Sequence, residues 1–304
     1  MAEKSKHAWT ATHLPDLTGR TVVVTGANSG IGRTTADALA RAGAHVVLAV
    51  RDPERGRAAA AGLSGSTEVR RLDLADLASV REFAAGWSDP LYALVNNAGV
   101  MMLPRRRTED GFEMQFGTNH LGHFALTNLL LPHVTDRVVT LSSSAHRWGG
   151  ATIEFDDLDL TARYTPQRAY AQSKLANLLF TLELQRRLSE AGSPVRALAA
   201  HPGYAATNLQ SHTANPVVRG VLKVTNRFLA QDDRAGALPT LYAVTQDLPG
   251  ASYVGPDGFA EARGVPTLVG RSRAASDPHA ARRLWGVSEE LTGVRFPLAV
   301  GADS

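Results

Sequence analysis

Tyr170 and Lys174 stand four residues apart in Tyr170-Ala171-Gln172-Ser173-Lys174, a stretch that otherwise reads as helix. Residues at i and i+4 share a helical face, so the phenol and the ammonium can meet. A free tyrosine ionises near pH ~10, and a fixed cation beside it favours the phenolate. The expectation is a lowered phenol pKa and a group able to trade protons near neutrality, which is general acid/base chemistry. Such a pair also arises on exposed helix faces, so its meaning depends on the elements around it.

Those elements begin with Thr21-Val22-Val23-Val24, a β-branched run ending in Thr25-Gly26-Ala27-Asn28-Ser29-Gly30-Ile31-Gly32, after which Arg33 to Gly43 carries alanine and leucine at helical spacing. This reads as strand, glycine turn and helix. A turn of that kind lets backbone approach a pyrophosphate closely and offers it free N–H groups at the positive end of a helix dipole. The spacing is GxxxGxG rather than GxGxxG. With the strand before it, the helix after it and the Tyr/Lys pair downstream, nucleotide binding is the expectation.

Four motifs in order resemble the short-chain dehydrogenase/reductase family over about Asp16 to Tyr253: the glycine turn, Asn96-Asn97-Ala98-Gly99, Ser143 ahead of Tyr170-xxx-Lys174, and His201-Pro202-Gly203 with Thr207. Asn119-His120-Leu121-Gly122-His123-Phe124, Ser142-Ser143-Ser144-Ala145-His146 and the residues from Tyr170 to Asn177 look most like its retinol dehydrogenase and protochlorophyllide reductase branch. The resemblance implies a three-layer, Rossmann-type α/β fold with a doubly wound parallel sheet in a single domain. It implies an oxidoreductase in which Ser143 hydrogen-bonds the substrate oxygen and Tyr170 exchanges its proton. Lys174 would hold the nicotinamide ribose, and Asn119 would anchor a water that passes protons to solvent. Gly26, Asn28, Ser29, Gly30, Ile31, Gly32 and Arg33 would hold the phosphate end, Asp73 and Leu74 flank the adenine, Asn97, Ala98 and Gly99 line the ribose, and Pro202, Gly203 and Thr207 meet the carboxamide. Ser142 and Ser144 leave a register ambiguity around Ser143, resolved by aligning the strand Arg137 to Leu141 with that of the family.

Cofactor choice is read at the end of the second strand, where an acidic residue binding the adenosine ribose marks a preference for NAD. Here that position is Val50, followed by Arg51. A guanidinium can grip a 2′-phosphate and no carboxylate repels it, so NADP(H) is the expected cofactor.

Strands are expected at 21–25, 45–50, 68–72, 91–95, 136–142, 194–200 and about 251–254, with helices between them and a last helix near Pro278 to Leu291. Runs such as His45-Val46-Val47-Leu48-Ala49-Val50 are nearly continuous in apolar residues, as when both sheet faces are covered. Residues 1–15 and 299–304 read as flexible tails around one domain from 16 to 298, and Gly255 to Arg273 as a glycine- and proline-rich connection. Pro216, Val217, Val218, Val221, Leu222, Phe228 and Leu229 put apolar groups at helical spacing within about 204–229, the region of the family's substrate pocket. Either a greasy mobile lid or a stripe docked permanently on the protein's own core or on another subunit is expected there, with Met101 and Met102 as an adaptable opposite wall and a small lipophilic carbonyl compound or alcohol as substrate. His146 and Trp148 either touch that substrate or pack the loop.

The remaining features exclude more than they assign. A net charge of +3 from 32 basic and 29 acidic residues is too balanced to argue for nucleic acid. With no cysteine there is no thiol chemistry, and His120 and His123 lack the company a metal site needs, so no metal is expected. No uncharged apolar stretch approaches the ~20 residues of a membrane span, a departure from the anchored retinol dehydrogenases, and a cytoplasmic protein is expected. Extra apolar positions on the helix from Tyr170 to Leu188, such as Phe180 and Leu184, point either to a second buried contact of the kind that makes homodimers or homotetramers or to deeper burial within a single subunit, which leaves the oligomeric state open. A protein that binds NADP without turnover is the alternative, but it has no need of Asn119, Ser143, Tyr170 and Lys174 together.

Overall fold

A computed structural model describes residues 8–203 and 233–298. β1 (Thr21–Thr25), β2 (His45–Val50), β3 (Ser66–Arg71), β4 (Leu91–Asn96), β5 (Val134–Leu141), β6 (Arg196–Ala200), β7 (Tyr253–Pro256) and β8 (Pro266–Leu268) form one sheet in the order β3-β2-β1-β4-β5-β6-β7-β8. Every neighbouring pair up to β7 is parallel, and β8 closes the edge antiparallel to β7. That edge strand lies inside the stretch read as a plain connection. A three-residue strand opening on proline is too short to show alternation, and an edge is where a strand tolerates proline.

Strand periodicity divides the core into layers. Val22 and Val24 of β1 face α1 (Gly30–Arg41) and α7 (Asp233–Thr245), while Val23 faces the opposite layer of α3 (Leu77–Ala85), α5 (Gly122–Leu130) and α6 (Pro166–Glu190). Both faces are covered, as the continuous apolar strands require. The chain leaves β1 for β2 and β3 on one side and returns to β4 on the other, which opens a crevice at the carboxyl ends of β1 and β4.

α6 begins before Tyr170 because Thr165 caps it, its side chain accepting from Arg168 N at 3.2 Å, and Pro166 takes the first turn. Its second apolar face is covered from within the chain by the C-terminal helix α8 (Pro278–Thr292): Phe180 stacks on Trp285 at 5.7 Å between centroids, and Phe124 meets the same indole edge-on at 4.9 Å. Of the two readings of the apolar surplus, burial within one subunit holds for Phe180 and Leu184. Within the expected N-terminal tail, Ala11–His13 forms a 3-10 turn and Trp9 packs edge-on against Tyr242 at 5.1 Å. No helix among the described residues is long and apolar enough to cross a membrane. The expected lid, 204–229, lies outside the described residues.

Candidate active site

The glycine turn sits at the carboxyl end of β1, where Gly26 and Gly30 adopt φ of +67° and +54° that favour glycine. Gly32 is required for a different reason: a Cβ there would overlap the Asn97 amide and the Gly26 carbonyl. Ile31 is buried beneath the turn among Val22, Val24 and Leu39. Ser29 occupies the N-cap of α1, yet its side chain makes no capping bond, so the first-turn N–H groups remain available to a ligand's oxygens. A dinucleotide pyrophosphate fits these residues.

Asn97 braces the turn, its Nδ2 donating to Thr25 O at 2.7 Å, while Asn97 N and Ala98 N both donate to Thr25 Oγ1 at 2.9 Å. Gly99 follows with open backbone: a Cβ on it would stand 3.2 Å from Asn119 Oδ1 and 3.6 Å from Lys174 Nζ. Asp73 and Leu74 leave the end of β3, with Asp73 Oδ1 accepting from Ala75 N at 3.0 Å and Leu74 packed under Gly122.

At the second strand Val50 is buried and Arg51 is exposed. Asp52 spends its carboxylate on capping α2 (Pro53–Ala60), accepting from Glu54 N and Arg55 N at 3.0 and 3.1 Å. Arg55, Arg33, Asn28, Ala58 and Ala59 line an open hollow of about 280 Å³ beside the glycine turn. Sequence reasoning passed over Arg55. The signal was the Asp52-Pro53 helix start, which puts Arg55 in the first turn of α2, the end facing the nucleotide crevice.

Asn119 lies in a π turn, Gly117–Leu121, between the short α4 (Met114–Phe116) and α5. π turns widen a helix and gather at functional sites. The Asn119 side chain is fully committed: Oδ1 accepts from Val100 N at 2.8 Å, and Nδ2 donates to Val100 O at 2.9 Å and Ser173 Oγ at 3.0 Å.

Among the three serines after β5, Ser143 is the one whose side chain pulls on the Tyr170 phenol, its Oγ also accepting from Ala145 N at 3.1 Å, while Ser142 Oγ turns inward to Lys174 O at 2.8 Å. Lys174 Nζ lies 5.7 Å from the centre of the Tyr170 ring and donates to Leu141 O at 3.1 Å. Asn177 Nδ2 donates to the same carbonyl at 2.9 Å. Burial pushes the Tyr170 phenol up to about 12, against a smaller downward pull from Ser143. The expected lowering by Lys174 is therefore not the balance at this site. Lys174 is itself desolvated and brought down to about 8, and it leans on a carbonyl rather than on the phenolic oxygen. The Trp148 ring is 6.2 Å from that of Tyr170 and 45% exposed. His146 is instead buried under the loop, Nδ1 donating to Ser143 O at 2.7 Å and Nε2 accepting from Ser272 N at 3.2 Å.

On the far side, Gly203 N donates to His201 Nδ1 at 3.2 Å, and His201 Nε2 lies 3.0 Å from Glu261 Oε2. Pro202 and Gly203 follow β6 at the carboxyl edge of the sheet, and Thr207 lies outside the described residues. Met102, opposite, is held at φ +57° with its N–H on Gln115 Oε1 at 2.9 Å.

Residues 20–216 match the family model of short chain dehydrogenases. The chain belongs to the short-chain dehydrogenases. It is 45% identical to retinol dehydrogenase 13 of Homo sapiens over 92% of this chain and 87% of that one. Mouse polyprenol dehydrogenase is 41% identical over 96% of this chain and 88% of its own length. Among solved structures, one of a Mycobacterium paratuberculosis protein superposes with a TM-score of 0.84 at 56% identity, covering 96% of this chain and all of that one. A Beutenbergia cavernae protein assigned as an NAD(P)-dependent gluconate 5-dehydrogenase, with NADP bound at low occupancy, gives 0.57 at 31% identity over 76% of this chain and 91% of that one. These relatives make an oxidoreductase of this short-chain dehydrogenase, and they include enzymes named for lipophilic alcohols.

Proposed function

We propose that this short-chain dehydrogenase interconverts a carbonyl and an alcohol on a small lipophilic substrate, using NADP(H) and Tyr170 as the proton-exchanging group. The single observation that carries the reading is the convergence of Ser143, Tyr170, Lys174 and Asn119 at the carboxyl edge of the sheet, around the open backbone of Gly99.

The nicotinamide cofactor, when bound, supplies or accepts the hydride. In the reductive direction Ser143 Oγ–H orients the substrate oxygen and Tyr170 Oη–H delivers its proton to it as the oxygen gains charge. Lys174, cationic below about pH 8, opposes the negative charge that develops on the phenolic oxygen. Asn119 keeps the Val100 backbone and Ser173 in place beside Lys174. For alcohol oxidation each proton runs the other way. Arg51, Arg55 and Arg33 supply the cations that a 2′-phosphate needs. Trp148, half-exposed over Tyr170, gives an apolar substrate a surface to leave water against. The names of the retinol and polyprenol relatives support the lipophilic class.

The test is a panel of ketones, aldehydes and alcohols of increasing apolar bulk, assayed with NADPH, NADH, NADP and NAD. Turnover with NADPH or NADP that improves with apolar bulk supports the reading. Preference for small charged substrates, or nucleotide binding without turnover of any member, contradicts it.

A further inference from the structure

We infer that His123 is a positioning residue of this site, a neutral imidazole that ties the Asn119 carbonyl to the dinucleotide turn. The inference rests on the oxidoreductase reading above for its kinetic consequence. Its geometric part stands apart from turnover.

His123 Nδ1 lies 3.0 Å from Asn119 O, one helical turn back, and Nε2 lies 3.0 Å from Thr25 Oγ1 at the end of β1. A carbonyl oxygen only accepts, so Nδ1 carries the proton and Nε2 accepts from the Thr25 hydroxyl. The lone pairs of that hydroxyl take the Asn97 and Ala98 N–H groups. Two residues on, Val100 exchanges both its backbone groups with the Asn119 amide. The bonds form a closed ring: Thr25, the Asn97 to Val100 backbone, Asn119, His123 and back to Thr25. Every link is buried or half-buried, and both ring nitrogens are used.

The ring joins two functions. Thr25, Asn97 and Ala98 shape the nucleotide crevice, and Asn119 reaches Ser173 beside Lys174. Protonation would turn Nε2 from acceptor to donor and break the ring. Full burial, with a smaller push from the Lys174 charge, holds His123 down to about 4 and so keeps it neutral at working pH. His120, three residues earlier, makes no such link: its Nε2 meets Ser288 Oγ at 2.8 Å on the side of α8.

Removing the imidazole leaves the Thr25 hydroxyl still accepting from Asn97 and Ala98, with Val95 O at 3.4 Å as an outlet for its proton. Nucleotide binding should survive, and the Asn119 carbonyl should lose its donor. An asparagine can replace that donor, because Asn128 on the same helix already bonds the carbonyl four residues back, Nδ2 to Phe124 O at 2.9 Å.

The experiment compares His123→Asn, His123→Gln and His123→Leu with the unaltered chain for NADPH Kd, kcat and thermal midpoint. His123→Leu and His123→Gln should lower kcat about tenfold to a hundredfold, the scale of a small misplacement of reacting groups. Their NADPH Kd should change less than about threefold, and His123→Asn should restore most of kcat. Equal kcat in His123→Asn and His123→Leu, or losses that track the thermal midpoint alone, would overturn the inference. Nitrogen-15 histidine spectra of the unaltered chain test the geometry without turnover: a neutral ring protonated on Nδ1 down to about pH 5 is expected, and an Nε2-protonated or titrating ring overturns it. A chain with the expected spectrum that reduces and oxidises nothing would sink the oxidoreductase reading and leave the brace standing.

Discussion

The ammonium nitrogen of Lys174 lies 5.7 Å from the ring centre of Tyr170, yet its hydrogen bond goes to Leu141 O. Burial raises the phenol to about 12 and lowers the lysine to about 8. For carbonyl reduction the phenol must be protonated and the lysine charged, and both conditions hold below pH 8. The reductive kcat should be flat through neutrality and fall above about pH 8 as Lys174 loses its proton. Initial rates from pH 6 to 10 check this, and Lys174→Arg should move the descending limb upward. A limb that stays in place would detach it from Lys174.

The cationic rim beside the glycine turn predicts cofactor choice. NADPH should exceed NADPH's unphosphorylated counterpart by at least about tenfold in kcat/KM, equivalent to roughly 1.4 kcal/mol. Arg51→Ala with Arg55→Ala should erase most of that advantage while leaving the NADH value within about threefold. Val50→Asp with Arg51→Ala should favour NADH. Equal use of both cofactors by the unaltered chain would remove the argument from Arg51 and Arg55.

Stability should fall on acidification because three buried histidines resist protonation. His120, His123 and His146 are lowered from 6.5 to about 3, 4 and 4, each chiefly by burial. Between those values the unfolded chain binds more protons than the folded one, so stability rises with pH there and is lost as pH falls from 6.5 toward 4. Each group contributes up to about 1.4 kcal/mol per pH unit. Urea unfolding at a series of pH values should show this slope, and His120→Phe should reduce it by about one group's share. A pH-independent midpoint from 6.5 to 4.5 would contradict the burial argument.

Much of this architecture was legible in the chain. β1 and β2 fall at the expected residues because runs of valine bounded by glycine turns leave no competing reading. The convergence of Ser143, Tyr170 and Lys174 was legible because each closes or follows a recognisable element. Arg55 was not, since an arginine on a short polar helix looks like any solvated residue until the hollow beside the turn is formed. His123 was weighed only as a metal ligand, because its two partners lie 4 and 98 positions away and no local pattern joins them. Phe180 and Leu184 left a subunit contact and internal burial both open for the converse reason: periodicity shows that a face is buried and is silent on what buries it.

Trp148 carries the substrate prediction. Its ring stands 6.2 Å from that of Tyr170 and is 45% exposed. Trp148→Ala should raise KM for the most apolar substrates by about tenfold, the scale of losing one aromatic contact, with NADPH affinity unchanged. An equal effect on small polar substrates would place the indole outside the binding surface.

The central claim is that Tyr170 moves the proton. Tyr170→Phe keeps the ring and its packing and removes only the hydroxyl, so NADPH Kd should stay within about threefold of the unaltered chain while single-turnover hydride transfer to a lipophilic aldehyde slows by on the order of 100-fold or more. Near-normal hydride transfer in Tyr170→Phe, with the cofactor bound as tightly, would contradict it.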